Sequence, residues 1–251
     1  MKGSTPRRLL TAVRNRVWRR LELCVYSCTA DRIKTLPRST RLKRDAWEDF
    51  ACCEQWSYPN LTREEYLASV EARHQSGLHH LYSLVENGVL VHYGWLTSRQ
   101  ERAPDAAIGL VFIPPPRSAA LFDYFTHPIA RGRGLYSESL RQCMHDAVEI
   151  DGAETVFIYA YSDNAISRHA IEKAGFEYRG SLVMERRGWL TRRYSTFTGT
   201  ALDVRRLEDD EPARAIASRT TSYAARGGPI PAGGTGYGSA SAHREPRRMR
   251  S

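Results

Sequence analysis

The chain is organised around Leu121-Phe122-Asp123-Tyr124-Phe125-Thr126 and, after His127-Pro128, the turn Arg131-Gly132-Arg133-Gly134-Leu135-Tyr136. The first of these reads as a buried strand, and Pro128 ends it because proline has no N–H to give to a ladder. Beyond the turn the apolar period becomes helical. Leu140, Cys143, Met144, Ala147 and Val148 share one face, and Glu138, Arg141, Gln142, His145 and Glu149 the other. A strand, a glycine-bearing basic loop and a helix start together make an anion site. First-turn N–H groups point outward, the helix dipole adds partial positive charge, and glycine lets a phosphate approach. Arg131 and Arg133 can add charge-assisted bonds. The turn therefore suits a pyrophosphate, and it equally suits a plain strand–helix turn that needs glycine only for geometry. It lacks the Gly-Lys-Ser/Thr ending of a Walker loop and the third glycine of a dinucleotide fingerprint.

A second stretch decides between them. Glu154 to Tyr161 reads as another strand. Asn164-Ala165-Ile166-Ser167 opens a short helix that stops at Lys173-Ala174-Gly175-Phe176, with Gly175 as the C-terminal stop. With both motifs in this order, each after a strand, the chain resembles the Gcn5-related (GNAT) acyl-CoA N-acyltransferases. Arg131 to Tyr136 resembles the family's Arg/Gln-x-x-Gly-x-Gly/Ala loop. Asn164, Ser167, Glu172, Lys173, Gly175 and Phe176 resemble its second motif. The resemblance covers roughly residues 78 to 200.

The resemblance implies an α/β fold: a mixed, mostly antiparallel sheet flanked by helices. It implies transfer of an acyl group, acetyl first, from coenzyme A to an amine by direct attack. Backbone N–H groups of Arg131, Gly132, Arg133, Gly134, Leu135 and Tyr136 would hold the carrier. The pantetheine arm would pair along a strand splayed at Tyr124 to Thr126, and the N–H of Phe125 would polarise the thioester. Asn164 and Ser167 would also reach the arm. Asp123 is the candidate base, since a carboxylate in an apolar strand is costly without a task or a partner. It reads equally well as a structural aspartate bonded to a neighbouring strand, Tyr159 or Tyr161. His127 is the alternative base, though its place before proline suggests a turn histidine. Two positions depart from the family pattern: Ile171 stands where many relatives carry a tyrosine acid, and Tyr136 where they carry Gly or Ala. Tyr136 and Tyr161 are then the candidate acids, unless the thiolate, with a pKa of about 8.5, leaves unaided.

The rest of the chain reads as follows. Glu22 to Ser27 is a first strand, Asp31 to Arg44 a loop and Asp45 to Gln55 a helix. Thr62 and Glu65 form a capping box on a helix that Gly77 ends. Trp47, Trp56, Tyr58 and Tyr66 are candidate substrate contacts or plain core. His79 to Val85 and Val89 to Leu96 pair through Asn87-Gly88. Ala107 to Ile113 is a strand, Pro114 to Pro116 a stiff loop, and Glu177 to Arg187 with Trp189 to Phe197 a closing hairpin. His79, His80 and His92 show no metal-ligand spacing, so neither they nor any other residue is offered as a metal ligand.

Three parts are expected: residues 1–20, a basic helix or extension; 21–200, the GNAT-like domain; 201–251, a disordered basic tail rich in glycine and alanine. The net charge of +9 comes mostly from arginine near the two ends. Five cysteines, with Cys52 and Cys53 vicinal, suit reduced thiols in a cytoplasmic protein better than a disulfide scaffold. The leader has no long apolar run, so it reads as neither signal peptide nor membrane span, and peripheral membrane contact through it stays open. The expected partner is a small-molecule amine, an amino sugar or lipid-linked amine ahead of a protein lysine. A noncatalytic acyl-CoA sensor is the rival. A nucleic-acid binder ranks below both, because the chain has no basic patch interleaved with aromatics.

Overall fold

A computed structural model describes residues 18–58, 61–197 and 202–214. The first half comprises β1 (Trp18–Thr29), a helical turn α1 (Ala30–Ile33), β2 (Lys43–Arg44), a 3-10 segment (Trp47–Cys52), α2 (Arg63–Ser76), β3 (His79–Glu86) and β4 (Val89–Thr97). Then follow β5 (Ala103–Asp105), β6 (Leu110–Ile113), β7 (Ser118–Thr126), α3 (Leu135–Glu149), β8 (Thr155–Tyr161) and α4 (Ala165–Ala174). The last elements are β9 (Glu177–Arg187), β10 (Leu190–Ser195) and β11 (Asp203–Arg206).

Eight strands form one sheet in the order β10-β9-β1-β8-β7-β4-β3-β2, and a small second sheet runs β11-β6-β5. Every pairing in the large sheet is antiparallel except β7 with β8. This is the α/β, mostly antiparallel architecture expected. Leu121 and Phe122 illustrate how the period of two divides the core. Leu121 joins Tyr26, Leu140, Met144 and Ile171 under α3 and α4. Phe122 joins Tyr66, Tyr93 and Trp95 under α2 and the 3-10 segment. On that second face the small sheet covers β8 and β1, with Phe112 against Phe157 and Tyr159.

Local signals explain the boundaries. Thr62 and Glu65 form the reciprocal capping box, and Gly77 closes α2 at φ 66. Asn87 and Gly88 both take positive φ, as a type I′ hairpin turn requires. Gly175 stops α4 at φ 116.

Several expectations need correction. Trp18 to Arg20 extend β1 rather than a helix, and the rest of the leader lies outside the described residues. Asp45 to Gln55 yields only the 3-10 segment Trp47–Cys52. The strand expected from Ala107 begins at Leu110, because Ala107 and Gly109 belong to the turn from β5. Packed structure continues past residue 200, the boundary expected for the domain. β11 pairs with β6, and buried Asp210 caps the next turn through Ala213 and binds Arg102 at 3.2 Å. Residues 215–251, the remainder of the expected tail, lie outside the described residues. Gln142 and His145, placed on the polar face of α3, are buried. Gln142 clamps both backbone groups of Leu42, and His145 bonds the Leu36 carbonyl. Polar side chains here satisfy an irregular segment that has no ladder of its own.

His79, half-buried, and His92, fully buried, are strand histidines that bond Thr97 and Thr126 through Nδ1. Burial lowers their pKa to about 4 and about 3, with Arg73 adding to the effect at His79. Both are neutral when folded and titrate near 6.5 when unfolded. The stability they contribute is therefore full above pH ~6.5 and is lost as the pH falls through about 4 for His79 and about 3 for His92. Urea midpoints should be flat above pH ~6.5 and fall below it, less steeply in His79→Gln.

Candidate active site

β7 and β8 pair in parallel from Ser118–Thr155 to Leu121–Ile158, and the ladder stops there. Beyond that point Phe122 to Thr126 stay with β4, while Tyr159 to Tyr161 stay with β1. The two strands part from Phe122, two residues before the Tyr124 to Thr126 stretch that the resemblance implies is splayed. A bulge sits at the parting. Tyr93 opposes Phe125 and Trp95 opposes Phe122, so Gly94 alone faces both Asp123 and Tyr124. Asp123 takes φ 50, a left-handed conformation that costs a residue with a Cβ roughly 1–2 kcal/mol. Gly94 is required opposite it, because the Tyr124 ring lies in the space a Cβ would occupy.

The bulge turns Asp123 onto the aromatic face, where it is fully enclosed. Arg73 Nη1 lies 2.6 Å from Oδ2, Tyr66 donates to the same oxygen at 3.4 Å, and Ser57 Oγ donates to Oδ1. Its partners are therefore not Tyr159 or Tyr161. The Arg73 guanidinium also lies 4.6 Å from the Trp95 ring centre and 5.2 Å from that of Phe122. Burial alone would lower the Arg73 pKa, but Asp123, Tyr66 and Tyr58 together outweigh it and the net shift is upward. Burial also pushes Tyr66 and Tyr93 well above the usual phenol range, so they stay protonated as donors.

On the far side of β7 lies the turn. Gly132 and Gly134 have φ 77 and 78, and residues 131–134 are exposed. Gly134 is the N-cap of α3 and brings no capping side chain, so among the described residues the first-turn N–H groups have no capping acceptor. A Cβ at Gly132 would meet nothing within 4 Å, and one at Gly134 only Glu138 Oε1 at 3.9 Å. Packing does not demand these glycines; backbone conformation and outward access do. The arginines are less free than the sequence suggests. Arg133 forms two 2.7 Å bonds with Glu86 of the β3–β4 hairpin, and Arg131 Nε donates to the Thr126 carbonyl at 3.2 Å.

Tyr136 turns its ring inward, 5.1 Å from that of Tyr124, and shares a 3.0 Å hydroxyl bond with Ser167. Burial pushes its pKa up to about 12, against the pull of Ser167. Asn164 caps α4 by accepting from the Ser167 N–H at 3.1 Å. The starts of α3 and α4 thus meet beside the parted strands. Tyr161, at the end of β8, donates to buried Asp105 at 2.7 Å. Burial raises the Asp105 pKa, with Tyr161 and the Ile108 N–H opposing.

The three candidate catalytic residues therefore do not converge. Asp123 is tied to Arg73, Tyr136 to Ser167 and Tyr161 to Asp105. His127 keeps its turn role, accepting weakly from the Ile129 N–H at 3.4 Å. Ile171 is buried under α3. Tyr58 and Tyr66 are core, whereas Trp47 and Trp56 are half-buried and stack on His74 and Tyr66. Sequence reasoning missed Arg73, Ser57 and Asp105. For Arg73 a signal exists: it follows Tyr66 and Val70 at helical spacing, so a charge falls on the apolar face of α2. Asp105 reads as an ordinary turn aspartate and Ser57 as loop.

Residues 40–177, more than half of the chain, match the acetyltransferase (GNAT) domain. A putative GNAT acetyltransferase of Novosphingobium aromaticivorans is similar at 14% identity and TM-score 0.45, over 67% of this chain and 66% of that one. A GNAT-family acetyltransferase of Colwellia psychrerythraea gives 15% and 0.46 over 70% and 57%. A GCN5-related N-acetyltransferase of Sphaerobacter thermophilus gives 14% and 0.43 over 79% and 59%. The chain thus spans about three fifths to two thirds of the length of these structures. No curated protein matches it. On the matched domain, the chain belongs to the GNAT acetyltransferase family.

Proposed function

We propose that the chain is an N-acyltransferase that moves an acyl group, acetyl first, from coenzyme A to an amine. One observation carries the reading: a parted, bulged strand runs directly into a helix start whose exposed N–H groups have no cap. The N–H groups of 132–136 would take the diphosphate, the Arg131 N–H being bonded to the Pro128 carbonyl, and the open edge of Phe122–Thr126 the pantetheine arm. An N–H of the bulge, that of Phe125 first, would polarise the thioester. Enclosed and ion-paired, Asp123 fits a positioning part better than that of a base, since it holds the bulge that aims these amides. Tyr161 is the candidate to exchange a proton near the parted strands, with Asp105 fixing its hydroxyl. A small amine suits the half-buried Trp47 and Trp56 better than a protein lysine does.

Free-thiol release from acetyl-CoA across amino sugars, lipid-linked amines and a lysine peptide tests the reaction. Calorimetry with coenzyme A tests the carrier site separately. Heat without turnover of any amine would favour a noncatalytic acyl-CoA sensor, which buried Ile171 in place of a tyrosine acid would explain. Gly134→Val should weaken coenzyme A binding at least tenfold, about 1.4 kcal/mol. The left-handed φ should cost the fold only about 1–2 kcal/mol, read by urea titration. Unchanged coenzyme A affinity in that variant would remove the turn from the site.

A further inference from the structure

The ribbon of β1, β9 and β10 ends in an exposed patch that the acyl-transfer reading leaves unused. Leu23–Tyr161 is the last pair between β1 and β8, so Trp18 to Glu22 project past the end of β8 where the strands part. At the tip Trp18 pairs with Arg187 and Arg187 with Leu190 in one cross-strand row. Trp189 stands at the hairpin turn beside them. Trp189 is 93% exposed, Leu190 58% and Trp18 47%. Such apolar exposure on a small projecting tip is costly in water and marks an interaction site.

Charge surrounds it. Arg19, Arg186, Arg187 and Arg192 are exposed, and among the described residues none has a carboxylate partner. Only Arg20 is neutralised, by Glu22 and Glu185 at 3.0 and 3.2 Å. Arg187 lies 5.9 Å over the Trp18 ring. The chain enters this tip directly from residues 1–17, whose sequence holds Lys2, Arg7, Arg8, Arg14 and Arg16 and no acid.

We infer that this ribbon tip docks on the surface of an anionic lipid bilayer. Indole rings settle at the headgroup level, an aliphatic side chain enters the acyl boundary, and arginines meet lipid phosphates. Among the described residues no helix is long and apolar enough to cross a membrane, and the inferred docking is peripheral. Single-stranded nucleic acid would also use tryptophan and arginine, but Leu190 has no stacking part to play there. The inference does not rest on the acyl-transfer reading, and coenzyme A heat can survive its failure.

The test is cosedimentation of the full-length chain with phosphatidylcholine vesicles and with vesicles containing phosphatidylglycerol. Binding to the anionic vesicles alone is expected, falling as salt rises. Trp189→Ser with Leu190→Ser should weaken it about tenfold. The coenzyme A heat and thermal midpoint of that variant should match the wild type, since both side chains are solvent-facing. Brominated lipid should quench tryptophan emission in the wild-type protein, which tests insertion without any variant. Equal binding to both vesicle types, no quenching, or wild-type binding by the double variant would overturn the inference. So would binding of a single-stranded oligonucleotide, or Trp189-dependent self-association, without vesicle binding.

Discussion

Replacing Arg73 by methionine should lower the free energy of unfolding by about 3–5 kcal/mol, the cost of leaving a buried charge without its partner. For a chain of this size that is roughly 10 °C in Tm. Asp123 has no exposed surface, and its nearest cation is the Arg73 guanidinium at 2.6 Å. Ser57 and Tyr66 remain as donors in the variant, but neither brings charge. Asp123→Asn combined with Arg73→Met should regain most of the loss, because the neutral amide leaves no buried charge, still accepts from Ser57 and tolerates the left-handed φ. That double variant also divides two roles for Asp123. If turnover survives, the carboxylate serves only to hold the bulge. If turnover vanishes while stability and coenzyme A binding hold, the carboxylate takes part in chemistry. Urea titrations of the four species close the cycle. An Arg73→Met variant within about 1 kcal/mol of wild type would mean that the pair is not the anchor the geometry makes it.

The sequence makes the turn and its helix legible because their signals are local. Gly132 and Gly134 lie where left-handed φ is needed, and Gly175 and Thr62 mark helix ends through neighbours within a few residues. Asn87-Gly88 does the same for its hairpin. What stays hidden depends on distant partners. Nothing near Asp123 announces Arg73, fifty positions earlier, and nothing near Arg133 announces Glu86. Both residues are legible as charges, but not their partners: the candidate base is ion-paired to Arg73, and the arginine expected at the phosphate is bonded to Glu86. Gln142 and His145 fail for a related reason. Amphipathic counting treats polar residues as solvent-facing, whereas here the 34–42 segment needs buried donors and acceptors to satisfy its backbone. β11 is hidden because a short polar strand carries no period of its own and forms only against β6.

Removing residues 1–29 should abolish folding altogether, with no cooperative urea transition and no coenzyme A heat. The strand order explains why. β8, α4 and β9 follow one another in sequence, yet β8 and β9 do not pair; β1 lies between them. Its ladder to β8 runs from Leu23 to Thr29 and its ladder to β9 from Trp18 to Ser27. Without β1 both neighbours lose a full row of backbone partners inside the sheet. The side chains lost include Val25, Tyr26 and Cys28, none with any exposure. At about 1.5–3 kcal/mol for each large buried side chain, these alone approach the 5–15 kcal/mol that holds a typical domain together. Tyr26 also ties α4 to the sheet, accepting from Arg168 at 2.9 Å and donating to Glu172 at 3.3 Å. The helix that carries Asn164 and Ser167 would lose its footing with the strand. Co-expressing residues 1–29 as a separate peptide should restore part of the soluble protein, since an open slot between two strands accepts a third. The segment that matches the family, 40–177, lies wholly outside β1. A truncated chain that unfolded cooperatively within about 2 kcal/mol of wild type would show that segment to be self-sufficient, and β1 a cover rather than a central strand.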